Sequence, residues 1–153
     1  MTAHLNLFAA APEITQAFLA FSNQVGTSGL EKPLLEIVKI RASQINGCAF
    51  CLDMHSKDAR KGGETEQRLY LLNAWRETSF YSEREQAALA WTEHLTLVST
   101  EGAPQAAYDR LMAVFSPDEI ADLTVLIGMI NLWNRVAIGS GAYLDETQRA
   151  TAA

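Results

Sequence analysis

Cysteine is nearly absent: Cys48 and Cys51 are the only two among 153 residues. Standing three apart, they close a loop too short to restrain an unfolded chain as secreted disulfide frameworks do, so their purpose is read as chemical. Positive charge is also scarce. Twelve lysines and arginines face eighteen aspartates and glutamates, a net charge of −6. No basic field is available to attract a phosphate backbone, which argues against nucleic acid as a partner. No window alternates β-branched and polar residues as a half-buried strand would. Nor is there a clean membrane span: the most apolar stretch, Ile120 to Ile138, carries Asp122, Asn131, Asn134 and Arg135, which are costly in lipid, and it reads as core. The opening MTAHLNLFAAAPEITQAF has no basic residues ahead of its apolar ones, and Pro12 and Glu13 interrupt them. It does not read as a signal peptide, and a cytoplasmic location is expected. A nicotinamide or flavin glycine fingerprint is missing too, so no such cofactor is expected.

What is present is an ordinary globular balance of 48% apolar and 20% charged residues, with enough chain to bury a core as one domain over residues 1–153. Helical start and stop signals recur throughout. Pro12 opens a segment in which Ile14, Phe18, Phe21 and Val25 repeat at helical spacing, and Pro33 opens another with Leu34, Ile37, Val38, Ile40 and Ile45 before Asn46-Gly47. A third begins at Cys48 and runs through His55 to Gly62-Gly63. Leu69, Leu72 and Trp75 mark a fourth, Ser82-x-x-Glu85 caps a fifth, Pro104 starts a sixth, and Ser116-Pro117-Asp118-Glu119 introduces the long apolar run. The expectation is an all-α, compact bundle of about seven helices.

A Cys-x-x-Cys pair serves both redox proteins and zinc half-sites, so its neighbours must decide. Zinc at a structural site needs about four ligands. Cys48, Cys51 and His55 supply three, and His4 and His94 lie far away in sequence, so no metal is expected. If a helix begins near Cys48, Cys51 lies in its first turn, where unpaired backbone N–H groups favour a thiolate. Cα atoms three apart on a helix stand about 5 Å apart, within reach of a disulfide. His55, four residues after Cys51, projects from the same face and is a candidate proton acceptor. Glu36 precedes the Asn46-Gly47 break by about ten residues and His55 follows it by about eight, so an antiparallel hairpin would bring them to similar heights. A carboxylate there would orient the imidazole. The run Asn131, Leu132, Trp133, Asn134, Arg135 is a further polar feature, whose amides would organise a pocket or a subunit contact if buried.

Together these residues form Glu36-x11-Cys48-x2-Cys51-x3-His55. In this motif, and over Leu34 to Glu93 more broadly, the sequence resembles the alkylhydroperoxidase D-like branch of the carboxymuconolactone decarboxylase superfamily. The resemblance implies a redox core at about residues 34–93 and a homo-oligomer, trimer or hexamer. It also implies an antioxidant thiol-disulfide oxidoreductase that reduces peroxide, with Cys51 peroxidatic, Cys48 resolving, and His55 and Glu36 as a proton relay. Electrons would come from an external dithiol such as a lipoyl or thioredoxin-like protein. One position departs from the enzymes that define this activity, which carry a histidine just before the second cysteine. Here Phe50 stands there, and phenylalanine relays no proton. Two other readings are a lactone decarboxylase like the namesake enzymes, which needs no cysteine pair, and a non-catalytic redox sensor or binding module switched by the disulfide.

Overall fold

Helix starts in this chain are written in short polar side chains followed by acids. Ser82 and Ser116 each accept the backbone N–H three residues on, while Glu85 and Glu119 reach back to the serine N–H, so both are complete capping boxes. Asn6 and Thr65 cap in the simpler one-sided way. In the computed structural model, which describes residues 4–142, the elements are α1 (Leu7–Ala10), α2 (Pro12–Val25), α3 (Lys32–Asn46), α4 (Ala49–Lys61), α5 (Glu66–Leu71), a 3-10 segment (Leu72–Glu77), α6 (Glu83–Thr96), α7 (Val98–Glu101), α8 (Gln105–Met112) and α9 (Pro117–Ser140). Among the described residues there is no strand, and the fold is all-α as the pattern predicts. The remaining residues of the expected 1–153 domain lie outside the described ones.

Nine α-helices form among the described residues rather than about seven. The four-residue helices α1 and α7 are too short to show any apolar period. The segment read as one helix up to Trp75 changes at Leu72 into the 3-10 form, with Ala74 at φ −117°, ψ 29°. Leu69, Leu72 and Trp75 are buried all the same. In α2 the inward face differs from the expected stripe. Ile14 is 71% exposed and Phe21 44% exposed. Val25 is buried as expected and Phe18 packs inward, stacking on Trp133 of α9 with ring centroids 4.3 Å apart, while Thr15 is buried in place of Ile14. Three to four residues separate successive inward positions on either face, so spacing alone could not choose between them.

The core centres on α3, which packs against α4, α6 and α9. Ile37, Val38 and Ile40 of α3 meet Leu89 of α6 and Leu126 and Ile127 of α9, all almost wholly buried. Each such side chain contributes about 1.5–3 kcal/mol by leaving water. Helix α9 is long and apolar enough in composition to cross a membrane. Its inward residues are nevertheless in this core, and its asparagines are hydrogen-bonded to other helices. A second, smaller apolar cluster lies where α3, α4 and α9 meet, and it contains Ala42, Cys48, Cys51, Ile130 and Ala137.

Candidate active site

The turn between α3 and α4 sets the geometry of the cysteine pair. Gly47 adopts φ 69°, ψ 32°, the left-handed conformation that other residues resist, and ends α3. Its N–H bonds the carbonyl of Gln44 and the N–H of Cys48 bonds that of Ser43, the double closure of a Schellman ending. Cys48 therefore finishes one helix with its N–H and caps the next with its side chain, for its Sγ accepts the N–H of Cys51 at 3.4 Å. The expectation that α4 begins at the cysteines is met, and the capping position falls on Cys48.

Both cysteines are free thiols, each 1% exposed. Their sulfurs are 2.8 Å apart. At that distance one thiol hydrogen-bonds the other, and the pair gives up its first proton far more readily than its second. The hydrogen bond from Cys51, helped by the Cys51 N–H and opposed by burial, brings Cys48 down to about 7. The same contact, with burial, pushes Cys51 up. The Cys51 N–H thus favours charge on the capping sulfur, and once one sulfur is charged the other gives up its proton with difficulty. The helix-start reading finds the turn of helix, and the extended φ and ψ of Cys48 bring its sulfur to the N–H of Cys51.

One turn further along α4, His55 is buried, and its Nδ1 lies 3.0 Å from Oε2 of Glu36 on α3. The hairpin brings these two together at the heights that the sequence spacing anticipates. Lys39, absent from the sequence-based set, donates to the other carboxylate oxygen, Oε1, at 2.5 Å. Burial raises the Glu36 carboxyl, but the bonds from His55 and Lys39 outweigh it and hold the group below its ordinary value, so it stays ionised at neutral pH. Among the described residues no hydrogen bond directly joins the His55 ring to a sulfur. Nor do three or more histidine, cysteine or acidic side chains gather as a metal site would require.

A cavity of about 150 Å³ opens beside the pair, with Cys48, Phe50, Ala137 and Ile138 in its wall. Phe50, the position where a second relaying histidine would stand, adds apolar surface there. The pair also lies near two buried polar groups that residue counting does not bring together. Ser43 of α3 and Asn134 of α9 are fully buried and joined by an Asn134 Nδ2 to Ser43 Oγ bond of 2.9 Å. They lie 91 residues apart, beyond any local pattern.

Residues 12–94 match the carboxymuconolactone decarboxylase family. The Bacillus subtilis protein YdfG, itself uncharacterized, is 42% identical over 141 residues, covering 92% of this chain and 96% of that protein. A crystal structure of an Agrobacterium tumefaciens protein of unknown function, suggested to be the antioxidant defence protein AhpD, superposes with a TM-score of 0.88 at 45% identity, covering 91% of this chain and 95% of that one. The alkyl hydroperoxide reductase AhpD of Hyphomonas neptunium is 40% identical over a stretch of 47 residues, which is 31% of this chain and 26% of that enzyme. On its profile and its fold, the chain belongs to the carboxymuconolactone decarboxylase family, as an alkylhydroperoxidase D-like member.

Proposed function

We propose that this protein is a thiol-dependent peroxidase that cycles the Cys48–Cys51 pair between dithiol and disulfide. The observation that carries the reading is the meeting of two free sulfurs 2.8 Å apart at the start of α4 with a Glu36–His55 pair on the adjoining turn. Two thiols at this separation need only small movements to bond, and an ionised carboxylate behind an imidazole is suited to moving a proton. Family membership is consistent with peroxidase chemistry.

In the order that the family resemblance implies, the proton of Cys51 passes to Cys48 and the Cys51 thiolate attacks the outer peroxide oxygen. The O–O bond breaks, Cys51 becomes a sulfenic acid, and the departing oxygen takes a proton delivered through His55 to leave as alcohol or water. Cys48 then attacks the Cys51 sulfur, an S–S bond forms, and the hydroxyl departs as water. An external dithiol of the lipoyl or thioredoxin-like kind restores both thiols by two exchanges and is itself oxidised to a disulfide. We place this activity in a cytoplasmic homo-oligomer. The exposed apolar side chains Ile14, Phe21, Val125, Leu132 and Ile138 support self-association.

A second order of attack has its own support, since Cys48 lines the cavity and its sulfur accepts the Cys51 N–H, which favours its ionisation. Here Cys48 would be the first nucleophile and Cys51 the resolving thiol. One experiment decides both matters. Peroxide consumption with a recycling dithiol should proceed over many turnovers in the parent protein and stop in Cys51→Ser and in Cys48→Ser. After a brief peroxide pulse, a reagent selective for sulfenic acid should label Cys51 in Cys48→Ser and leave Cys48 in Cys51→Ser nearly unlabelled. Label found on Cys48 reverses the order, and a parent protein that consumes only one equivalent of peroxide overturns the enzymatic reading.

A further inference from the structure

Three asparagines connect α9 to the end of α3, and their hydrogens can be assigned one by one. Asn131 is fixed by two neighbours with a single possible role each. The carbonyl of Ile127 can only accept, and it takes Nδ2–H at 2.9 Å, while the guanidinium of Arg135 can only donate, and it gives to Oδ1 at 3.0 Å. The second Nδ2 hydrogen goes to Oγ1 of Thr96 at 3.0 Å. The Oδ1 of Asn131 therefore faces Asn46, which must present its Nδ2, and does so at 2.9 Å. The other hydrogen of that Nδ2 goes to Oδ1 of Asn134 at 2.8 Å. With its oxygen engaged, Asn134 turns Nδ2 the other way. One hydrogen goes to Ser43 Oγ at 2.9 Å, and Ser43 passes its own proton to the carbonyl of Lys39 at 2.7 Å. Asn134 itself is fully buried on the face of α9 between Ile130 and Ala137, the two residues that pack with Cys48 and Cys51.

From this geometry we propose that Asn134 is the donor that stabilises negative charge on the cysteine pair, aimed at the sulfurs by a one-way chain running from Arg135 and Ile127 through Asn131 and Asn46. The proposal deepens the peroxidase reading and rests on it for its biological use. A neutral amide suits the position. It stabilises a thiolate by a hydrogen bond, yet leaves no unpaired ion in the core when the pair is neutral or oxidised. The chain cannot flip amide by amide, because reversing Asn134 would set two N–H groups against each other at Asn46. Consistent with this, the Asn134 side chain favours ionisation of both thiols, a smaller effect than that of the thiols on one another. The ionisable groups engaged around the junction are Glu36 and Lys39 of α3, His55 of α4 and Arg135 of α9. The first three are bonded among themselves, and Arg135 is bonded to Asn131.

The test reads thiol ionisation, not turnover. In the reduced full-length protein, the pH dependence of iodoacetamide alkylation is followed for the parent, Asn134→Leu and Asn131→Leu. Losing one hydrogen bond to an anion should move the first thiol ionisation of Asn134→Leu up by about one pH unit, a roughly tenfold slower alkylation below the midpoint. Asn131→Leu removes the anchor of the chain two amides away but leaves the Asn134 amide in place and still held by Asn46 and Ser43, so it should shift the ionisation by clearly less. No shift in Asn134→Leu, or equal shifts in the two, overturns the proposal. Should Asn134→Leu not fold, the parent protein still answers by nuclear magnetic resonance. The side-chain amide signal of Asn134 should titrate with the thiols while that of Asn131 stays still, and a static Asn134 signal overturns the proposal equally. A parent protein that fails to turn over peroxide but gives these titrations would remove the peroxidase reading and leave the role of Asn134 standing.

Discussion

Two polar clusters flank α3, and they are built on opposite principles. On the side facing α6, Glu93 accepts from Arg41 at 2.8 Å, from the Trp75 indole at 2.9 Å and from Arg76. Arg41 in turn bonds Asn73 and Gln44. Burial raises the Glu93 carboxyl, the three donors outweigh it, and the group remains ionised with its charge compensated. On another face of the same end of α3, the cysteine pair receives a backbone N–H and lies beside the buried, neutral Ser43 and Asn134. The first cluster holds charge permanently, as a staple between α3, α6 and the 3-10 segment. The second can take up a charge and release it, which a nucleophile must do within each cycle. Burial accompanies both, and the difference lies in whether the partners carry formal charge.

The largest effect that would sharpen this contrast comes from the group that moves protons beside the pair. His55→Ala should slow the peroxide step about a hundredfold, and Glu36→Gln by less, since the imidazole then keeps a neutral partner. Rapid-mixing kinetics of disulfide formation would check both, and unchanged rates would mean that the relay contributes nothing to attack. Next is the pH response of the pair itself. The reactive form is deprotonated and the pair's first ionisation stands at about 7. Alkylation should therefore climb as pH rises to about 7, level off above it, and fall about tenfold for each unit below. A flat profile across that range would break the distinction between switchable and fixed charge.

The smallest effect on reactivity is expected from the staple. Glu93→Gln leaves Arg41 buried with neutral partners only, and should cost about 2 kcal/mol of stability in a denaturant titration while leaving the alkylation midpoint in place. Its pH signature has a definite sign. The Glu93 carboxyl is depressed in the folded state, so its contribution is fully present above the ordinary carboxylate value of about 4.3 and is lost as pH falls through the folded value. Acid should accordingly destabilise the parent more steeply than Glu93→Gln. A variant whose thiols also titrate differently would show the two clusters to be one.

The parts legible in the sequence were those governed by short spacing. Cys48, Cys51 and His55 share one helix, and Glu36 reaches His55 across a single tight turn, so residue counting placed all four before any coordinates. The capping boxes at Ser82 and Ser116 were equally local. The inward face of α2 was legible only in part, because Thr15 takes the buried place beside Ile14 by bonding carbonyls of Leu7 and Ala11, which no apolar period announces. Asn134 stood out as a conspicuous amide, but its partners Ser43 and Asn46 come from α3, and only the packing of α9 across the hairpin gives it a direction.

The turn at Gly47 carries a consequence for how this chain can vary. An alanine there would meet no neighbouring atom within 4 Å, so any penalty lies in the left-handed backbone itself. Length is constrained more tightly than identity. One residue inserted within α3 after Glu36 would turn everything beyond it by about 100° about the helix axis and carry the sulfurs away from α9. The spacing from Glu36 to His55 is thus a ruler, and its fixed count should outlast the residues that lie between its marks.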